Sequence, residues 1–217
     1  MSLIVRDAPF LRGVNPPAVL QPPFLPDRKG IIRMRVITGA ARGRRLIAPE
    51  GLDTRPTTDK VKEAVCSALQ FEFSSAAVLD LFAGSGQMGI EALSRGARSA
   101  VLCDRDPRAV KCITQNVRAC GFSETAAVYQ TDAAAYLQRT AERFDIAFLD
   151  PPYHKGLLPE ILPLLAPKMT KNGIIVCEHE PELKLPEQIL EFHLQKQKKY
   201  GKITVSIYRI PEEAENP

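Results

Sequence analysis

Within "FDIAFLDPPYHKG", residues 144–156, an acid, two prolines and a tyrosine follow an apolar run. Ile146 to Leu149 reads as a strand buried inside a parallel sheet. Two successive prolines give up two backbone donors and hold the chain extended. A carboxylate at Asp150 and the carbonyl of Pro151, fixed by Pro152, can accept both N–H bonds of an exocyclic amine on a planar base. Such an amine is a poor nucleophile because its lone pair is delocalised into the ring. Holding both N–H groups turns the lone pair toward an electrophile, with Tyr153 stacked on the base. The position lacks a Pro-Cys nucleophile, which argues against chemistry on a ring carbon. A base inside paired nucleic acid is out of reach, so the target is unpaired or flipped. A Pro-Pro turn with a capping acid and a packing tyrosine is the competing explanation.

A second cluster of candidates lies in "VLDLFAGSGQMGIEAL". Gly84, Ser85 and Gly86, with Gly89, form a GxGxxG turn between a strand and a helix. Glycines there allow the tight path and let a ligand approach the backbone. Asp104, at the end of the next strand, is placed to accept hydrogen bonds from two ribose hydroxyls. A dinucleotide site uses the same parts, so the turn alone does not choose the cofactor. Asp80, just before the turn, argues for S-adenosylmethionine. A carboxylate there would repel a pyrophosphate and attract an ammonium. Asp132, in "QTDAAAY", is placed either to receive an adenine amino group or to cap the helix that follows.

Strands and helices must alternate to bring these residues together. "AAVLDLF", "SAVLCD", "ETAAVYQ", "RFDIAFLD" and "GIIVCEHE" read as strands, with helices in "GQMGIEALSRGA", "PRAVKCITQNVRACG", "DAAAYLQRT" and the proline-interrupted "LLPEILPLLAPKM". That alternation predicts an α/β doubly wound parallel sheet with ligands outside the carboxyl ends of its strands. "EFHLQKQKKYGKITVSIYRI" adds two strands around Gly201, an antiparallel pair at one edge. Upstream, "RVITG" and "RRLIAP" predict a hairpin. "RPTTDKVKEAVCSALQF" predicts a helix capped by Thr57, Thr58 or Asp59, with Val61, Ala64, Val65, Ala68 and Leu69 on one face.

The chain has 217 residues, 45% hydrophobic, and a net charge of +4 that is unevenly placed. Seven basic and three acidic side chains lie between Arg35 and Lys62, and "KQKKYGK", Lys196–Lys202, is a second basic cluster. Concentrated positive charge points to a polyanionic partner. The longest apolar stretches are strand-sized, so no membrane helix is expected. Five cysteines without a CxxC and three histidines without ligand spacing suit reduced thiols in the cytoplasm and no metal site. Residues 1–33 are proline-rich and aperiodic, which predicts a disordered arm, with Met34 an alternative translation start. The expected organisation is that arm, an extension over residues 34–72, a catalytic domain over 73–211 and an acidic tail over 212–217.

The segments "MRVITGAARGRRL", "TRPTTDKVKEAV", "VLDLFAGSGQMGIEALSRGA", "FDIAFLDPPY" and "YGKITV" resemble the bacterial RsmD family of 16S rRNA guanine-N2 methyltransferases. The resemblance implies a Rossmann-like class I methyltransferase with a seven-stranded sheet and an N-terminal hairpin extension. It implies transfer from S-adenosylmethionine to the N2 amine of one guanine in 16S rRNA of the small ribosomal subunit. Asp80, Gly84 and Gly86 match its cofactor loop, Asp104 its ribose-binding acid, and Asp150 to Tyr153 its amine-binding tetrapeptide. Arg42, Arg44 and Arg45 match a basic hairpin expected to touch RNA phosphates, and Arg55 with Thr57 the RPT signature at the site's rim. Nothing demands more than a monomer. The competing readings are a DNA adenine-N6 methyltransferase, which uses the same amine chemistry, and a catalytically silent RNA-binding assembly factor.

Overall fold

From Ala77 onward, buried strands alternate with helices whose apolar stripes need a sheet face to cover them. The computed structural model describes residues 34–49 and 59–211. The arm, the segment 50–58 with Arg55, Thr57 and Thr58, and the acidic tail lie outside the described residues. Five strands run parallel: β1 (Ala77–Asp80), β2 (Ser99–Asp104), β3 (Ala126–Gln130), β4 (Phe144–Leu149) and β5 (Met169–His179). They are joined by α2 (Gln87–Ser94), α3 (Pro107–Cys120), α4 (Ala133–Arg139) and α5 (Leu157–Leu165), after α1 (Asp59–Ala68). The chain ends in β6 (Gln188–Ile189), β7 (Phe192–Tyr200) and β8 (Ile203–Arg209).

The sheet order is β3-β2-β1-β4-β5-β8-β7-β6. The chain winds outward from β1 through β2 and β3, then returns to β4 beside β1. The switch point therefore opens between the carboxyl ends of β1 and β4. Eight strands stand where seven were expected. The addition is β6, a Gln-Ile pair too short to show any periodicity, bonded to Phe192 and His193. The antiparallel part is accordingly three strands wide, with β8 inserted between β5 and β7.

Leu137, Leu158 and Leu162, from α4 and α5, pack against Leu79, Ala147 and Ile175 on one face of the sheet. On the other face Val36, Val65, Ile90 and Ile113, from the hairpin and α1 to α3, pack with Val78, Phe148 and Ile203. In α1 the expected face is corrected at one position. Ala68 is exposed, and Cys66 and Lys62 are buried beside Val61, Val65 and Leu69. Lys62 turns inward because its ammonium donates to the Arg35 carbonyl at 2.5 Å, next to the Glu91 carboxylate at 3.9 Å.

The predicted hairpin is present as a tight loop with one bridge, Arg35 to Arg45, and flanking bonds from Leu46 N to Met34 O and Gly43 N to Val36 O. Buried Glu91 on α2 fixes it, accepting from Ile37 N at 2.7 Å, Thr38 N at 3.0 Å and Arg95 Nε at 2.9 Å. Gly39 sits at φ +89° against α2, where a Cβ would come within 1.7 Å of the Ser94 carbonyl oxygen. Only glycine fits that contact.

Candidate active site

The glycine turn and the tetrapeptide meet at the switch point. A cavity of about 530 Å³ is lined by Asp80, Gly84, Ser85, Asp104 and Asp132 on one side and by Asp150, Pro151, Pro152 and Tyr153 on the other. The cofactor-side and amine-side candidates thus share one crevice, except Gly86, which is buried beneath the turn at φ +77° against Leu102 and Ile113. Gly84, at φ +54°, has open space where a Cβ would project, so conformation and not packing requires glycine there.

The carboxylates hold the loop as well as lining it. Asp80, buried at the end of β1, accepts from Gly89 N at 3.0 Å. Burial pushes its carboxyl up to about 7, against the Gly89 bond and with help from nearby Asp104. Asp104 accepts from Gly84 N at 2.9 Å and from Asp106 N at 2.9 Å, one on each oxygen. A carboxylate has about four acceptor sites, so two remain for hydroxyls. Asp132 caps α4, its Oδ1 accepting from Ala134 N and Ala135 N, and it also lines the cavity. The capping reading of Asp132 is thus the one observed, and its place on the cavity wall leaves an oxygen beside the crevice.

The tetrapeptide loop is braced from the end of β5 and the residue after it, through residues the sequence reading passed over. Tyr153 donates its hydroxyl to Glu178 at 3.2 Å, and Glu180 accepts from the His154 backbone at 3.0 Å. Burial and the Glu178 carboxylate push the Tyr153 phenol well above its ordinary value, so it stays a neutral donor. Alternation along "CEHE" was the available signal, because residues two apart on a strand share a face. His154 at φ +59° and Gly156 at φ +64° then turn the chain into α5.

Asn116 of α3, also passed over, ties the extension to the glycine turn. Its amide donates to the carbonyls of Ile47 at 3.0 Å and Ser85 at 2.8 Å, and its oxygen accepts from Ile47 N at 2.9 Å. Met34 and Pro49 reach the cavity wall from the same extension.

The basic candidates do not gather at the cavity. Arg42, Arg44 and Arg45 are exposed on the extension. Its turn lies at the far end of α2, where Ala40 N donates to Ser94 O. Arg44 stands close enough to Cys120, the last residue of α3, to oppose the upward push of burial on that thiol. An eight-residue helix spans about 12 Å, so the turn is set back from the mouth by roughly that distance. Arg55 lies outside the described residues.

The family described as conserved hypothetical protein 95 matches residues 34–209. Among curated relatives, Bacillus subtilis YlbH, provisionally named an rRNA methyltransferase, is 41% identical over 81% of this chain and 98% of its own. Ribosomal RNA small subunit methyltransferase D of Escherichia coli K12 is 33% identical over 88% of this chain and 97% of its own. The solved structure of Escherichia coli yhhF superposes with a TM-score of 0.73 at 33% identity, covering 83% of this chain and 99% of that one.

Proposed function

Because the chain belongs to the conserved hypothetical protein 95 family, that of the RsmD small-subunit rRNA methyltransferases, we propose that it methylates the exocyclic N2 amine of a guanine in 16S rRNA, using S-adenosylmethionine. The observation that carries the reading is one cavity lined at once by the glycine turn and the Asp-Pro-Pro-Tyr loop.

The cavity suits the cofactor on its own chemistry. Its volume falls within the usual range for small-molecule sites. Asp104 and Asp132, joined by Asp80 when a cation draws it into its ionised form, favour an ammonium and ribose hydroxyls over a pyrophosphate. Asp80 and the turn at Gly84 to Gly86 would hold the amino-acid end, Asp104 the ribose and Asp132 the adenine. When bound, S-adenosylmethionine supplies a sulfonium methyl group open to in-line displacement.

The chain's own residues do the rest. The Asp150 carboxylate and the Pro151 carbonyl accept the two N–H bonds of the target amine and aim its lone pair at the methyl donor. Pro151 and Pro152 keep those acceptors from relaxing away, so little reorganisation is needed during transfer. Tyr153, restrained through Glu178, offers its ring to the base face. The arginines of the extension contact phosphates along the helical face of the sheet. The protein works in the cytoplasm, as a monomer. No helix among the described residues is long and apolar enough to cross a membrane.

The test is to incubate the full chain and labelled S-adenosylmethionine with unmodified 16S rRNA, unmodified small subunits or adenine-rich duplex DNA. The methylated nucleoside is then identified by mass spectrometry. N2-methylguanosine from either ribosomal substrate is expected. N6-methyladenine from the DNA would preserve the amine chemistry and overturn the target. Bound cofactor without transfer to any substrate would point instead to a silent assembly factor.

A further inference from the structure

The carboxyl-terminal half of the second basic cluster lies at the same end of the sheet as the cavity, and register is what places it there. Thr204 of β8 pairs with His179, the carboxyl-terminal residue of β5, and Ile203 lines the cavity. Tyr200 and Lys199 of β7 pair with Ile203 and Thr204. The turn at Gly201 and Lys202 therefore projects from the same end of the sheet as the tetrapeptide. Strands are about 4.8 Å apart, so β8 and β7 stand roughly 10 and 14 Å from β4, which carries Asp150. That is within reach of the nucleotides flanking an extruded base.

Lys196, Lys198, Lys199 and Lys202 are all exposed, and no acidic residue interrupts the run from Phe192 to Arg209. Lys198 and Tyr200 share a face, with the Lys198 ammonium 5.1 Å from the tyrosine ring centroid. The nearby carboxylates Glu178 and Glu180 are engaged by Tyr153 and His154. The extension, by contrast, carries its turn to the opposite end of α2.

We propose that the β7–β8 turn, with Lys198, Lys199 and Lys202, grips substrate RNA phosphates beside the cavity mouth. It works opposite the extension, so that the RNA is held on both sides of the target base. This rests on the reading above that the substrate is RNA. The alternative is that these lysines only keep the open edge of β7 from pairing with other chains, since β6 covers just Phe192 and His193.

The experiment compares the full wild-type chain with Lys198→Gln/Lys199→Gln/Lys202→Gln, binding an unmodified single-stranded 16S rRNA loop fragment across a salt series. Removing three cations from single-strand phosphates should reduce the slope of log K against log salt by about 2. Between 50 and 200 mM salt the wild type should then lose about fifteenfold more affinity than the variant. Thermal stabilisation by S-adenosylhomocysteine should be the same for both, which shows the variant folded with its cofactor site intact. If the triple variant fails to fold, Lys202→Gln in the exposed turn carries the test, with an expected slope change of about 0.7. A slope unchanged from a wild type that does bind RNA would overturn the proposal and leave edge protection as the lysines' role. A wild type with no salt-dependent RNA binding would overturn the RNA reading itself, and the clamp with it.

Discussion

Replacing Glu91 by Gln should cost this protein about 3 kcal/mol of folding stability. The side chain is fully buried, and its two oxygens accept from three donors and face one ammonium. One accepts from Thr38 N and Arg95 Nε, the other from Ile37 N with Lys62 Nζ at 3.9 Å. Glutamine keeps one acceptor and puts an NH2 group in place of the other. Whichever way the amide turns, one backbone N–H and one cation then face a donor. Breaking a buried ion pair from one side costs about 3 to 5 kcal/mol. The lower end applies because Lys62 retains the Arg35 carbonyl and Arg95 stacks on Phe73 at 5.8 Å. Against a typical stability of about 5 to 15 kcal/mol, that is a large loss. Urea unfolding followed by circular dichroism measures it, with the midpoint falling and the slope unchanged because the same surface is exposed. Adding Lys62→Met should recover part of the loss, by an interaction energy of about 1 to 3 kcal/mol. A loss below about 1 kcal/mol, or strictly additive variants, would refute the claim that this charge cluster seals the extension onto α2.

Asp150→Ala should nearly abolish methyl transfer while leaving S-adenosylhomocysteine affinity within a few-fold of wild type; strong residual transfer would remove Asp150 from the amine-holding role. Asp80 in the ligand-free protein has a carboxyl raised to about 7, above its unfolded value of 3.8, so the folded state holds its proton longer than the unfolded state does. Stability should therefore fall as pH rises from about 4 to about 7, and Asp80→Asn should flatten that part of the unfolding profile. Binding of a cationic cofactor end favours the ionised form, so S-adenosylhomocysteine affinity should rise with pH through the same region and lose that dependence in Asp80→Asn. Arg44→Ala/Arg45→Ala should weaken RNA binding and lower its salt slope by about 0.7 to 0.9 for each phosphate no longer neutralised, measured by the same titration; an unchanged slope would move the RNA path off the extension.

Local chemistry is what the sequence states openly. Alternating strand and helix patterns determined a doubly wound sheet, and Asp-Pro-Pro-Tyr stood out as a carboxylate held beside two rigid prolines. Such features rest on residues a few positions apart, and the switch-point rule then brings the glycine turn and the tetrapeptide into one crevice. Contacts between distant residues were decided only by tertiary structure. Nothing near Lys62 in the sequence says that its charge is buried, since its partner Glu91 follows 29 positions later. Asn116 reads as one more polar residue on a helix until the fold sets Ile47 and Ser85 against it. The two basic clusters look alike as strings of charge. Only strand register puts Lys199 and Lys202 at the cavity's end of the sheet, and only docking against α2 sets the extension's turn a helix length away.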